Sequence, residues 1–204
     1  QITCIDSWQP MSDMPDQVSA NLRAMNEVLI DGSAYEIFLK NLKSLPNNIE
    51  PIVYRGLSSD ILPALSENKY DIIYIDGDHR YSSVLKDIQQ SIDLIRDGGF
   101  ICGDDLEIQL HECKDMLQPF DIGLFKNIDE LYHESRNTYY HPGVTLAVAE
   151  VLGPVMTWNG FWATQVKCKN KFDMSLTGIP LKIPLHIPSH LFDRAQARIN
   201  GIVT

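Results

Sequence analysis

Four carboxylates and one imidazole follow two apolar runs of the chain, and all five side chains are of types that bind cations or move protons. These residues are Asp76, Asp78, His79, Asp104 and Asp105. Carboxylates held close together repel one another unless a cation or a shared proton compensates their charge. Ligand sets rich in oxygen suit hard divalent ions such as magnesium or calcium. The residue types therefore favour a metal site.

The sequence between the two acidic loops predicts a strand–helix–strand unit. Residues 72–75 are β-branched or aromatic, as in a buried strand, and Ser82 or Ser83 is placed to cap the next helix. The glycines at 98–99 predict the end of that helix, before a second strand begins at Phe100. The two strands of such a unit are parallel, so we expect both acidic loops at one edge of the sheet, where α/β proteins bind ligands. If the strands are neighbours, the loops lie roughly 5 Å apart.

Each acidic loop also has a purely structural interpretation. An aspartate after a strand often makes a turn or caps the next helix, and Asp105 is placed to cap a helix beginning at Leu106. Two such loops in one unit, one of them with a histidine, favour a functional site.

The composition is that of an ordinary soluble globular protein. The 204 residues are enough for one α/β domain with a core, and they are 44% hydrophobic and 22% charged. The net charge of −10 argues against a nucleic-acid partner. No apolar run approaches the roughly 18 residues of a membrane helix, so we expect no membrane partner either. The cysteines are widely spaced and form no CxxC pair, which argues against zinc and indicates a reducing, cytoplasmic setting.

Two further loops at strand ends are candidates for binding a nucleoside. Asp6 ends the run Ile2–Ile5, where an acidic residue can hold ribose hydroxyls, although such an Asp also forms turns. Gly56, Leu57, Ser58 and Ser59 follow a predicted strand, and this small loop permits the close approach of a ligand ring. A plain helix cap explains the same loop equally well.

The second half of the chain is less regular. Residues 119–143 are predicted as an insertion or lid, whose aromatic residues Tyr139, Tyr140 and His141 either face a substrate or pack. Residues 144–151 and 161–166 are predicted as two strands of an antiparallel hairpin. Residues 176–204 are predicted as a proline-rich arm with a short helix, a segment through which homo-oligomers can form.

Taken together, these elements resemble the class I S-adenosylmethionine-dependent methyltransferases, and most closely the macrocin and mycinamicin type of sugar O-methyltransferase with the related cephalosporin-hydroxylase-like group. The resemblance covers residues 1–168 loosely and is specific at 76–105, where the order is D-G-D-H-x-Y, a helix with Asp87, G-G and D-D. It implies a Rossmann-like three-layer α/β sandwich in residues 1–175, with a mostly parallel sheet and a C-terminal antiparallel hairpin.

The resemblance also implies roles for individual residues. The cofactor S-adenosylmethionine would contact Asp6, the loop Gly56–Ser59 and Asp76. Mg²⁺ would bind Asp76, Asp104 and Asp105. His79 would be the general base that accepts a proton from a hydroxyl of a sugar or other small metabolite.

One element of the family is not found in this sequence. These enzymes bind the methionine part of the cofactor with a glycine-rich loop after their first strand, and no such loop precedes Ile2. We therefore expect further sequence upstream of Gln1, and activity of this chain alone is an open question. Two alternatives remain at this point: a metal-dependent phosphoesterase, because D-x-D after a strand also suits phosphoryl chemistry, and a non-catalytic scaffold domain.

Overall fold

The computed structural model describes residues 1–10, 20–65, 70–113, 122–167 and 171–173. The chain divides into two units, residues 1–174 and 175–204. The predicted proline-rich arm, residues 176–204, lies outside the described residues, so the proposed domain boundary stays a prediction.

The described part alternates strands and helices. The strands are β1 (Ile2–Asp6), β2 (Pro51–Arg55), β3 (Tyr70–Ile75), β4 (Ile95–Leu106), β5 (Leu131–His133), β6 (Thr138–Tyr140), β7 (Met156–Trp158), β8 (Gly160–Lys167) and β9 (Lys171–Asp173). The helices are α1 (Ala20–Ile30), α2 (Ser33–Leu42), α3 (Ser58–Ile61), α4 (Tyr81–Leu94), α5 (Ile122–Phe125) and α6 (Pro142–Val151), and short 3₁₀ turns follow at 62–65, 110–112 and 134–136. None of these helices is both long and apolar enough to span a membrane.

The largest sheet is mixed, so the prediction of a mostly parallel sheet is wrong. Its strand order is β3-β4-β8-β7, with β9 added on β8. The β3–β4 pair is parallel, as predicted, whereas β8 pairs antiparallel with β4, β7 and β9. In the described residues β1 and β2 form a separate parallel pair, and one side-chain hydrogen bond, Thr3 Oγ1 to Tyr70 Oη at 3.4 Å, joins it to β3. The α/β class is confirmed, without one continuous parallel sheet.

Helix α4 begins one residue before the predicted serine cap and ends earlier than predicted. It starts at Tyr81, and no side chain caps it at Arg80. The chain is already strand from Ile95. Ile95 pairs with Tyr70 and Phe100 pairs with Ile72, so the four residues 96–99 of β4 lie opposite Asp71 alone and form a bulge. Gly98 has a φ of +76° in this bulge, so the glycine pair shapes the strand and does not cap the helix.

Residues 142–151 form helix α6, so the predicted strand at 144–151 is wrong. The segment is rich in β-branched residues, which favour strands, but Pro142 occupies the first turn, where its fixed φ favours a helix start. Val144, Ala147 and Val148 share the buried face, and burial against α4 outweighs the strand preference. The predicted hairpin exists one element later, where Asn159 and Gly160, with φ of +50° and +87°, turn β7 into β8.

The core lies between α4, α6 and the mixed sheet. Its most buried members include Ile88, Ile101, Val148, Trp162 and Val166. Full burial of one such side chain stabilises the fold by about 1.5–3 kcal/mol, so the strand ends that carry the acidic loops rest on a rigid base.

Candidate functional site

The parallel pairing of β3 and β4 brings the two acidic loops to one edge of the sheet. Ile75, the last residue of β3, pairs with Gly103. A Cβ atom at Gly103 would clash with the Ile75 carbonyl oxygen and lie 2.7 Å from the Trp162 ring, so only glycine permits this close approach. Asp76, His79 and Asp105 each offer one ligand atom here, and these atoms lie within 4.8 Å of one another.

Asp105 and His79 are in direct contact across the two loops. Oδ2 of Asp105 lies 3.0 Å from Nε2 of His79, and this hydrogen bond lowers the pKa of the Asp105 carboxyl. The backbone of Asp105 has a φ of +65°, a conformation rare for residues other than glycine and common at functional sites. Asp105 therefore does not cap a following helix; β4 continues to Leu106.

A second carboxylate holds the other nitrogen of His79. Nδ1 of His79 lies 3.0 Å from Oδ1 of Asp129, in the segment that the sequence predicted as an insertion or lid. Burial lowers the pKa of His79, but the hydrogen bonds to Asp105 and Asp129 outweigh it and raise the pKa to about 10. His79 thus lies between two carboxylates that favour its protonated form.

His141 forms a second histidine–carboxylate pair beside the first. It is buried, and its Nδ1 lies 3.3 Å from Glu107 Oε1 and 3.8 Å from Asp105 Oδ1. The centres of the His141 and His79 rings are 4.4 Å apart in an edge-on arrangement. Burial lowers the pKa of His141, but the hydrogen bond with Glu107 and the negative charges of Glu107 and Asp105 together raise it above its ordinary value. The sequence left His141 between packing and substrate contact and gave no indication of Glu107 or Asp129, because Glu107 lies beyond the predicted end of the second strand and Asp129 lies in the predicted insertion.

Asp78 holds the start of helix α4. Its carboxylate accepts hydrogen bonds from the backbone N–H and Nε of Arg80, both at 3.1 Å, and from Oγ of Ser83 at 2.8 Å. This is the structural role that an aspartate after a strand often has.

Asp104 points to neighbours other than Asp76. Its Oδ1 accepts a hydrogen bond from the backbone N–H of Asp105 at 3.0 Å, and its Oδ2 accepts one from Tyr74 at 3.4 Å. Among the described residues Asp104 belongs to no group of three ligand atoms. The structure brings together two of the three predicted metal ligands, and a role for Asp104 stays a prediction.

The nucleoside candidates lie at the ends of the paired strands β1 and β2. Oδ1 of Asp6 accepts a hydrogen bond from Trp8 N at 2.7 Å, and Gly56 N donates to the Asp6 carbonyl oxygen at 2.9 Å. Ser58 Oγ donates to the buried Asp87 of α4 at 2.7 Å. The negative charge of Asp6 contributes to the raised pKa of Asp76, so the two halves of the site are within electrostatic reach.

A family model described as a methyltransferase domain matches residues 1–106, more than half of the chain. The chain belongs to this methyltransferase-domain family. A comparison with curated proteins gave no match.

Several solved structures are similar to this methyltransferase domain. One is CalS11, a TDP-rhamnose 3'-O-methyltransferase of calicheamicin biosynthesis, with 14% identity, a TM-score of 0.38 and coverage of 80% of this chain and 56% of CalS11. Another is the MycE methyltransferase of the mycinamycin pathway, in complex with Mg and SAH, with 14% identity, a TM-score of 0.35 and coverage of 100% of this chain and 52% of MycE. A third is an O-methyltransferase family protein from Burkholderia thailandensis, with 11% identity, a TM-score of 0.36 and coverage of 79% and 49%. The chain spans about half the length of these proteins.

The donor set of the methyltransferase domain fits Mg²⁺. Burial raises the pKa of Asp76, and the negative charge of Asp105 raises it further, so these two carboxylates repel each other as a cation site does before it is filled. Mg²⁺ keeps several waters and takes one or two protein carboxylates. Imidazole nitrogens are better ligands for metals other than Mg²⁺. The place of His79 beside the carboxylates therefore suits a base better than a ligand of Mg²⁺.

The loops at β1 and β2 fit the adenosine part of S-adenosylmethionine. Asp6 is a carboxylate at a parallel strand end, the position that holds ribose hydroxyls in dinucleotide-binding folds. The Gly56–Ser59 loop lies beside it, with Leu57 exposed and therefore available to an adenine ring. Gln90 Nε2, 3.4 Å from the Ser59 carbonyl oxygen, further fixes the loop to α4.

Proposed function

We propose that this protein is an S-adenosylmethionine-dependent, Mg²⁺-assisted O-methyltransferase that acts on a sugar or another small hydroxylated metabolite. The observation that carries the proposal is the contact between His79 and Asp105 at 3.0 Å, beside Asp76. This contact supports the proposal because it holds an imidazole next to carboxylates that suit a divalent cation. The substrate class comes from the D-G-D-H-x-Y resemblance and belongs to the proposal.

The bound groups would supply two pieces of chemistry: Mg²⁺ makes a coordinated hydroxyl more acidic, and S-adenosylmethionine provides the methyl group. Asp76 and Asp105 would hold the cation, with Asp104 as the third ligand that the resemblance implies. Asp6 and the loop Gly56–Ser59 would hold the adenosine, with Asp76 at its edge.

His79 would accept the hydroxyl proton at Nε2. In the cation-free protein this nitrogen is engaged by Asp105, and its pKa of about 10 leaves it protonated at neutral pH. With Asp76 and Asp105 as the cation ligands, the contact between Asp105 and His79 would loosen, and the pKa of the imidazole would fall toward the working pH. His79 would then act as the base.

The test is calorimetry of S-adenosylhomocysteine on the full-length protein, with and without Mg²⁺. We expect binding that Asp6→Ala weakens at least tenfold and that Asp60→Ala, a change at an exposed carboxylate, leaves unchanged. An absence of binding under both conditions refutes the proposal. The proposal also includes a cytoplasmic location, which cell fractionation tests. It further includes oligomerisation through residues 176–204, which light scattering tests.

A further inference from the structure

The two hydrogen bonds of the His79 ring go to carboxylates of different kinds. Asp105, at Nε2, belongs to the ligand group with Asp76, whereas Asp129, at Nδ1, does not. If a cation engages Asp105, the contact at Nε2 is given up and the contact at Nδ1 remains. The orientation of the ring then depends on Asp129.

The segment that carries Asp129 is attached to the site independently of Asp129 itself. Tyr81 N, at the start of α4, donates a hydrogen bond to the Lys126 carbonyl oxygen at 3.1 Å. Nζ of Lys126 lies over the Tyr81 ring, 4.1 Å from its centre, in cation–π geometry. Replacement of the Asp129 side chain therefore leaves two attachments of the segment in place.

The backbone of His79 is fixed from the other side by α6. A Cβ atom at Gly143 would clash with the His79 carbonyl oxygen and lie 2.5 Å from Tyr81 N, so the two backbones are in close contact. With the backbone held, the remaining freedom of His79 is the rotation of its ring and the choice of nitrogen that carries the proton.

We propose that Asp129 is a positioning residue that selects the base-competent form of His79. A neutral imidazole carries one proton, and a carboxylate at Nδ1 keeps the proton there. The lone pair of Nε2 then faces the cation site, where the acceptor hydroxyl would bind. Carboxylate–histidine pairs fix ring orientation and tautomer in the same way around metal sites. This inference rests on the proposed function, because that function assigns the cation to Asp105.

The experiment reads the proton positions on His79 from the ¹⁵N shifts of its two ring nitrogens, with and without Mg²⁺. In the wild-type protein with Mg²⁺ we expect the Nδ1–H form. In Asp129→Ala with Mg²⁺ we expect that form to lose its predominance, and in Glu130→Gln, a change at the neighbouring exposed carboxylate, we expect the wild-type spectrum. The Kd for Mg²⁺, measured by calorimetry, should rise clearly more in Asp105→Asn, which loses a cation ligand, than in Asp129→Ala, which does not.

Two results overturn the inference. If Asp129→Ala leaves the tautomer unchanged, Asp129 does not position His79. If it weakens Mg²⁺ binding as much as Asp105→Asn does, Asp129 is a cation ligand, together with His79 and His141, whose ligand atoms are also within 4.8 Å. A wild-type protein that binds neither Mg²⁺ nor S-adenosylhomocysteine refutes the proposed function instead. The Nδ1 contact is then still tested in the cation-free protein, where Asp129→Ala must shift the Nδ1 resonance and Glu130→Gln must not.

Discussion

Nε2 of His79 and Oδ2 of Asp105 lie 3.0 Å apart, although His79 follows β3, Asp105 lies near the end of β4 and the whole of α4 separates them in the sequence. The histidine thus compensates part of the negative charge of Asp105, whose pKa it lowers. A cluster of carboxylates at a sheet edge destabilises the fold unless positive charge compensates their repulsion.

The first prediction concerns stability against pH in the cation-free protein. The pKa of His79 is about 10 in the folded state against 6.5 for the free side chain. Its stabilising contribution is therefore fully present below about pH 6.5 and is lost as the pH rises through about 10. A hydrogen bond to a charged group contributes about 1.5–3 kcal/mol. We expect the fall in the free energy of unfolding over this range to be smaller by about that amount in His79→Gln.

Urea denaturation in the presence of a chelator measures this difference. His111→Gln, at an exposed histidine, should keep the wild-type pH dependence. An equally steep fall in His79→Gln would show that other groups cause it.

The second prediction concerns cation binding. A ligand that binds only the folded state stabilises it by about 2.7 kcal/mol at a hundredfold excess over its Kd. We expect Mg²⁺ to raise the Tm of the wild-type protein and of Asp78→Asn, because Asp78 is engaged by Arg80 and Ser83. Asp76→Asn and Asp105→Asn should lose the Mg²⁺-dependent rise. Thermal scans with and without Mg²⁺ measure this rise. A Tm that still rises with Mg²⁺ in both Asp76→Asn and Asp105→Asn would contradict the proposed cation site.

Asp104 has a test of its own. The resemblance implies that it binds the cation, whereas its oxygens accept hydrogen bonds from Asp105 N and Tyr74. Full loss of the Mg²⁺-dependent rise in Asp104→Asn would favour the resemblance, since the side chain must then turn on binding. A change of at most a few degrees in the Mg²⁺-dependent rise of the Tm would favour the observed arrangement, in which Asp104 accepts hydrogen bonds and does not bind the cation.

The buried carboxylate of Asp87 gives a prediction of opposite sign. Burial raises its pKa from 3.8, and the hydrogen bond from Ser58 compensates only in part. The stability linked to the protonated form is present below about pH 3.8 and is lost as the pH rises through the higher folded pKa. Asp87→Asn removes this loss of stability, because asparagine does not ionise, and its amide oxygen can still accept the hydrogen bond from Ser58. We expect it to raise the free energy of unfolding at pH 7 by on the order of 1 kcal/mol.

The gain in Asp87→Asn should shrink below pH 4, which denaturation at both pH values measures. Asp60→Asn, at an exposed carboxylate, should give no gain. A destabilised Asp87→Asn at pH 7 would mean that the ionised carboxylate is itself required by the fold.

Gly143 provides the last prediction. A methyl group there would overlap the backbone of His79 and Tyr81, and overpacking costs about 1–3 kcal/mol. We expect Gly143→Ala to be destabilised by that amount, measured by denaturation. Gly77→Ala is the matched control, because its Cβ would meet Asp87 Oδ2 at an ordinary 3.7 Å. Equal stability of the two variants would contradict the close contact between α6 and the acidic loop.

The sequence by itself determined the unit that holds the centre of the site. Apolar runs that end in acidic residues and flank an amphipathic helix specify two parallel strands, and this pattern is local. It placed Asp76, His79 and Asp105 at one sheet edge, as the structure shows. The family was also evident from these residues.

The tertiary structure decided which groups surround that centre. Asp129 reaches His79 and His141 reaches Asp105 from segments whose path no local pattern specifies, and Glu107, directly after β4, pairs with His141. The sheet is mixed because β8 pairs antiparallel with β4, which lies far away in the sequence, and pairing of that kind depends on packing. Residues 144–151 have the composition of a strand, and burial against α4 makes them a helix, since contacts outweigh the weak preferences of single residues.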